Sequence, residues 1–79
     1  MTYGEATRWL EKIGGTWTAA KEPAPPRIRP AVVVSVQSAK GAFVQRHALY
    51  DDGVEGWERA IEIRRAFVRA CEDLKRALA

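Results

Sequence analysis

All four prolines of the chain fall within Pro23–Pro30, in a segment reading Glu-Pro-Ala-Pro-Pro-Arg-Ile-Arg-Pro from Glu22. No other feature restricts the fold as much. Proline fixes φ near about −65° and has no N–H to donate, so this segment is excluded from a helix and from a central strand. It reads as an extended, semi-rigid, polyproline-like connector spanning residues 22–30. Pro23 and Pro26 form a P-x-x-P of the kind SH3 domains bind. Ile28 stands where such ligands carry an arginine, so a plain linker is the simpler reading.

Before the connector, Thr2 and Glu5 make a T-x-x-E capping box. Tyr3, Ala6, Leu10 and Ile13 recur at helical spacing, with Trp9 beside them, and Gly14-Gly15 supplies a left-handed stop. A helix is expected from Thr2 or Tyr3 to Ile13. Thr16–Ala20 reads as a short edge strand on its Thr-Trp-Thr start.

After the connector, Ala31–Gln37 is valine-rich and Ala42–Tyr50 forms a second β segment, with Ser38-Ala39-Lys40-Gly41 as the turn of a hairpin. A four-residue loop would set Val36 opposite Phe43, Val34 opposite Gln45 and Val32 opposite His47. Those residues with Leu49 form the better core face, although Gln45 and His47 interrupt it; a different loop length would change the register. Asp51-Asp52-Gly53 ends the strand. Asp52 and Glu55 form a second capping box, and a long helix is expected from Val54 to Leu78. Ala60, Ile63, Phe67, Cys71, Leu74 and Leu78 align at 100° per residue, with Trp57, Ile61 and Val68 on one flank and Ala70 and Ala77 on the other. The apolar arc spans about 200°, wide for a surface helix. Arg64 and Lys75 intrude on the Trp57 flank.

The expected fold is therefore a small α+β two-layer sandwich, α-β-β-β-α, or α-β-β-α without the short strand. At 79 residues it is one domain, residues 1–79, with one small core. The element order resembles that of double-stranded-RNA-binding domains. That family carries a basic cluster at the start of its last helix. Here the position reads Gly53-Val54-Glu55-Gly56-Trp57-Glu58, so the resemblance does not carry RNA binding over. Small antitoxin-type domains are similar in outline, with no shared motif.

Composition narrows the function. The longest apolar run, Ala31–Val34, is far short of the roughly 20 residues of a membrane span. One cysteine, Cys71, cannot form an internal disulfide, and the N-terminus lacks the basic-then-apolar signal-peptide pattern, so a cytoplasmic protein is expected. Cys71 and His47 are the sole thiol and imidazole. That pair does not make a structural zinc site, and Cys71 on the apolar side of a helix reads as a packed small hydrophobe rather than a nucleophile. Asp51, Asp52, Glu55, Glu58 and Glu62 cluster without the alternation of a calcium loop; they suit the positive end of the long helix. No glycine pattern matches a phosphate-binding loop. An enzyme is not expected, nor a cofactor or resident metal.

Two binding readings remain. In the first, the chain is a protein-interaction module, a homodimer or a subunit of a small regulatory complex. It would bind self or another protein through Trp57, Ile61, Arg64 and Val68, or through the open sheet face. Arg64 is expected to snorkel from the apolar arc. In the alternative, nucleic acid binds Arg27, Arg29, Lys40 and Arg46, with Trp17 and Tyr50 available for stacking. The face carrying Arg65, Arg69, Glu72, Asp73 and Arg76 alternates in sign and reads as solvated and laced with weak ion pairs.

Overall fold

In a computed structural model, which describes residues 1–24, 29–50 and 56–79, helix α1 (Tyr3–Lys12) leads into strands β1 (Thr16–Ala24), β2 (Arg29–Gln37) and β3 (Val44–Tyr50), and helix α2 (Gly56–Leu78) follows. The strands form one antiparallel sheet in the order β1-β2-β3. The chain is a small α+β fold with the expected α-β-β-β-α order.

α1 starts on the Thr2 capping box. The Glu5 N–H donates to Thr2 Oγ1 (3.1 Å), and the Thr2 N–H donates to Glu5 Oε1 (3.0 Å). Gly14 ends the helix at φ +70°, the left-handed conformation that favours glycine. The Asp52–Glu55 box falls outside the described residues.

The proline segment differs from expectation. Glu22, Pro23 and Ala24 extend β1, and Arg29 and Pro30 open β2, which is the central strand. Pro23 sits on an edge strand. Pro30 pairs with Pro23, whereas the pairing of β2 with β3 begins one residue later, at Ala31 with Tyr50. Among the described residues, Pro30 is thus paired on the β1 side alone, at the very start of the central strand. β1 is correspondingly longer than Thr16–Ala20.

The β2–β3 connection is also longer than four residues. A 3-10 turn at Ala39–Gly41 is closed by the Gly41 N–H donating to Ser38 O (2.9 Å). The Ser38 N–H donates to Phe43 O (2.9 Å), and the Phe43 N–H donates to Ser38 Oγ (2.9 Å). β3 thus starts at Val44, and the pairs are Val36 with Gln45, Val34 with His47 and Val32 with Leu49. The register differs by two residues. An even shift keeps every side chain on its face, so the core face is the expected one.

That face lies under the helices. Val34, Val36, Ala6, Leu10, Ala66, Phe67, Ala70, Cys71 and Leu74 form its buried core. Phe67 joins three elements: its ring meets Tyr3 of α1 edge-on (centroids 5.5 Å apart) and Trp17 of β1 at 4.5 Å. Trp17 therefore packs partly into the core from a strand, its ring engaged by Phe67. Ala60 and Leu78, expected in the core, are exposed. α2 has 23 residues, about 34 Å at 1.5 Å each, whereas the seven residues of β3 span about 23 Å. The helix is longer than the surface it covers, and both ends escape burial. The opposite sheet face carries Thr16, Thr18, Ser35, Gln37 and Arg46 around a small buried pair, Ala31 and Val33, against Tyr50. It mixes these polar side chains with apolar ones, Val44 among them at 46% exposed.

Candidate interaction face on the C-terminal helix

The excess length and width of the α2 apolar arc have a visible outcome. Trp57 is 72% exposed and Ile61 38% exposed, while Val68, further along the same flank, packs partly against the core. Tyr3, at the start of α1, borders this line and is 41% exposed. Arg64 lies between the two helices with its guanidinium carbon 5.2 Å from the Tyr3 ring centroid. It does not simply snorkel. It rests on an aromatic face, a contact worth about 0.5–1 kcal/mol at an exposed site. Phe67 orients Tyr3, and Tyr3 orients Arg64. The structure thus brings the four expected partner-binding residues onto one flank. Tyr3 is the addition that sequence reasoning missed, because its helical stripe assigned it to the core.

Of the ion pairs expected along the charged face of α2, Asp73 with Arg76 forms, and Glu72 finds its partner outside the helix. Glu72 accepts from the Met1 ammonium at 2.8 Å, a bond that holds the amino group above its ordinary pKa. Asp73 Oδ2 lies 3.2 Å from His47 Nε2 on β3, and Asp73 Oδ1 accepts from Arg76. Glu62 lies 3.6 Å from Arg59, whose Nη2 also donates to Tyr50 O (3.0 Å). Among the described residues, Arg64, Arg65 and Arg69 have no carboxylate partner. The three arginines border an open groove of about 360 Å³ that also includes Tyr3 and Val68.

The alternative set is not gathered. Arg27 lies outside the described residues. Arg29 opens β2 and Lys40 sits in the turn after its other end, so the two are separated by the strand, about 26 Å at 3.3 Å per residue. Arg46 is on the open face and already engaged, donating to Glu22 Oε1 (2.7 Å) and Ser35 Oγ (3.1 Å). Tyr50 belongs to the opposite end of β3 from Lys40.

The sole thiol is not exposed as a nucleophile. Cys71 is fully buried, and burial pushes its thiol up to about 11. Such a thiol stays protonated and packs as a hydrophobe. No group of three or more potential metal ligands occurs among the described residues, and no described helix is long and apolar enough to cross a membrane. No family model, curated protein or solved structure matches the chain.

Proposed function

We propose that the chain is a non-enzymatic protein-interaction module that docks through the outward flank of α2, as one half of a homodimer or as a subunit of a small complex. The observation that carries this reading is Trp57, left 72% exposed in line with Ile61 and Val68. Tryptophan on a protein surface is a strong candidate anchor. Buried at the centre of an interface, such residues contribute about 2 kcal/mol or more. The dispersed basic residues of the hairpin lend no comparable support to nucleic acid. The lone, buried cysteine is in keeping with a reducing cytoplasm.

The test is Trp57→Ala. The side chain is mostly solvated in the isolated chain, so the variant keeps its far-UV circular dichroism. Its association should weaken about thirtyfold, the equivalent of about 2 kcal/mol. Sedimentation equilibrium reads self-association, and the peptide titrations below read association with a different protein. A variant that associates as the wild type in both would overturn the reading.

A further inference from the structure

Trp57, Ile61 and Val68 run along α2 for about three turns, or 16 Å. At 100° per residue, Arg64 falls on one side of this line, beside Tyr3, and Arg65 and Arg69 fall on the other, one turn apart. The carboxylates nearest to them in sequence have other partners: Glu72 holds the Met1 ammonium, Asp73 holds His47 and Arg76, and Glu62 lies by Arg59. What remains is an apolar line bordered by Arg64 on one side and by Arg65 and Arg69 on the other, with Glu58 on the latter border only at its Trp57 end.

We propose, resting on the protein-interaction reading above, that this face receives an acidic amphipathic helix from a different protein. Its apolar side covers Trp57, Ile61 and Val68, and its carboxylates meet Arg64, Arg65 and Arg69. Helix-in-groove docking uses such a line of anchors at helical spacing. Guanidinium groups suit the task because each presents a planar fork that matches a carboxylate.

Charge selects this occupant over the two competitors. A second copy would pair isologously about a two-fold axis. With the stripe centred on that axis, Arg64 and Arg65 of both copies gather near the middle of the interface, and like charges so placed oppose closure. A nucleic acid would answer the arginines but not the apolar line. Ile61 and Val68 would face a hydrated phosphate backbone and gain little.

The experiment is fluorescence anisotropy of the full chain against three labelled probes. The first is a designed helical peptide of about four turns, with a leucine line flanked by glutamates on both sides. The second is the same peptide with glutamine for every glutamate, and the third is an RNA duplex. The protein variants are Trp57→Ala, Arg65→Gln with Arg69→Gln, and Lys40→Gln as a remote control. Circular dichroism confirms that each is folded. The acidic peptide should bind at least about tenfold tighter than the neutral one. Its affinity should fall about tenfold or more in both the tryptophan and the double-arginine variants, and stay unchanged in the control. If both peptides bind equally and both depend on Trp57, the acidic partner is overturned while the interaction module stands. Loss of peptide binding accompanied by self-association that needs Trp57 has the same consequence. Acidic-peptide binding indifferent to Trp57, or tighter binding of RNA, overturns both. So does an absence of any association up to about 100 µM, where even a weak complex is detectable.

Discussion

Gly15 connects α1 to the sheet, and adding one methyl there tests how the two are held together. A Cβ on Gly15 would lie 2.5 Å from Leu10 Cδ1 and 2.6 Å from the Gln37 carbonyl oxygen, where ordinary contact is 3.4 Å or more. Leu10 is a buried side chain with little room to retreat, and the Gln37 oxygen belongs to the backbone of β2. Relief requires α1 to move away from the sheet, with Tyr3 and its contact to Phe67. Overpacking of this kind costs about 1–3 kcal/mol. The total stability of a chain of 79 residues is about 4–12 kcal/mol. With a urea m-value of about 1–2 kcal/mol/M, Gly15→Ala should lower the unfolding midpoint by about 0.5–3 M. Two sibling substitutions separate steric overlap from backbone strain. Gly14→Ala meets only Ala39 Cβ at 3.7 Å, but places alanine at φ +70°, a strain of about 1 kcal/mol. Gly4→Ala, inside α1 and 3.8 Å from the Arg8 Nη1 atom, meets neither obstacle and should stabilise by up to about 1 kcal/mol through helix propensity. Urea titrations followed by circular dichroism read all three. A Gly15→Ala midpoint at or above that of the wild type would refute the packing argument for α1.

Other consequences are direct. Phe67→Ala removes the ring that joins α1, β1 and α2 and should cost about 3–5 kcal/mol, a large part of the total, read by the same titration. Cys71 should resist a thiol reagent in the native protein at neutral pH and react only at the unfolding rate; rapid labelling without denaturant would contradict its burial and raised pKa. The Glu5 carboxyl is held below its ordinary value by the Thr2 backbone N–H and then by the Thr2 hydroxyl. A depressed carboxylate stabilises the fold above its ordinary value of 4.5 and loses that contribution as pH falls through the lower, folded value. Glu5→Gln should therefore melt lower than the wild type near neutrality, and the gap should close on the acid side of 4.5.

Much of this architecture is legible in local signals. The Thr2 capping box, the glycine stop after Ile13, the valine face of β2 and the helix reaching Leu78 each follow from spacing that a short window contains. What escapes a short window is set by neighbours. Proline excluded residues 22–30 from a central strand only on the premise that such a strand has neighbours on both sides throughout its length. Among the described residues, the start of β2 has one, β1, since pairing with β3 begins at Ala31. The loop before β3 is lengthened by the Ser38 side chain, which supplies an acceptor that no periodicity reveals. The apolar arc of α2 was read in full, yet only its central turns are covered, since arc width does not say how much sheet lies beneath. That mismatch is the origin of the candidate face: the residues that could not be absorbed by the core are the ones exposed on the flank.

The charge pattern of that flank rests on a competition that helix rules alone cannot decide. Arg69 stands three and four residues before Glu72 and Asp73, so local spacing offers it both acids. The order is the unfavourable one, since an acid preceding a base complements the helix dipole and the reverse does not, and such pairs are worth only about 0.2–0.5 kcal/mol even when well oriented. Asp73 precedes Arg76 and takes that favoured pairing, then adds His47 across to β3. Glu72 takes the Met1 ammonium brought alongside by α1. For Arg69, tertiary partners and dipole order therefore act in the same direction and draw both acids away, whereas Arg65 has Glu62 before it in the favoured order and loses it to Arg59. The same packing that buries Phe67 of α2 against Tyr3 of α1 and Trp17 of β1 thus leaves these arginines without a carboxylate partner among the described residues. Arg65→Gln with Arg69→Gln should accordingly change the unfolding midpoint by less than about 0.5 kcal/mol equivalent while weakening the acidic peptide. A loss of stability as large as the loss of binding would show that these arginines serve the fold rather than the interface.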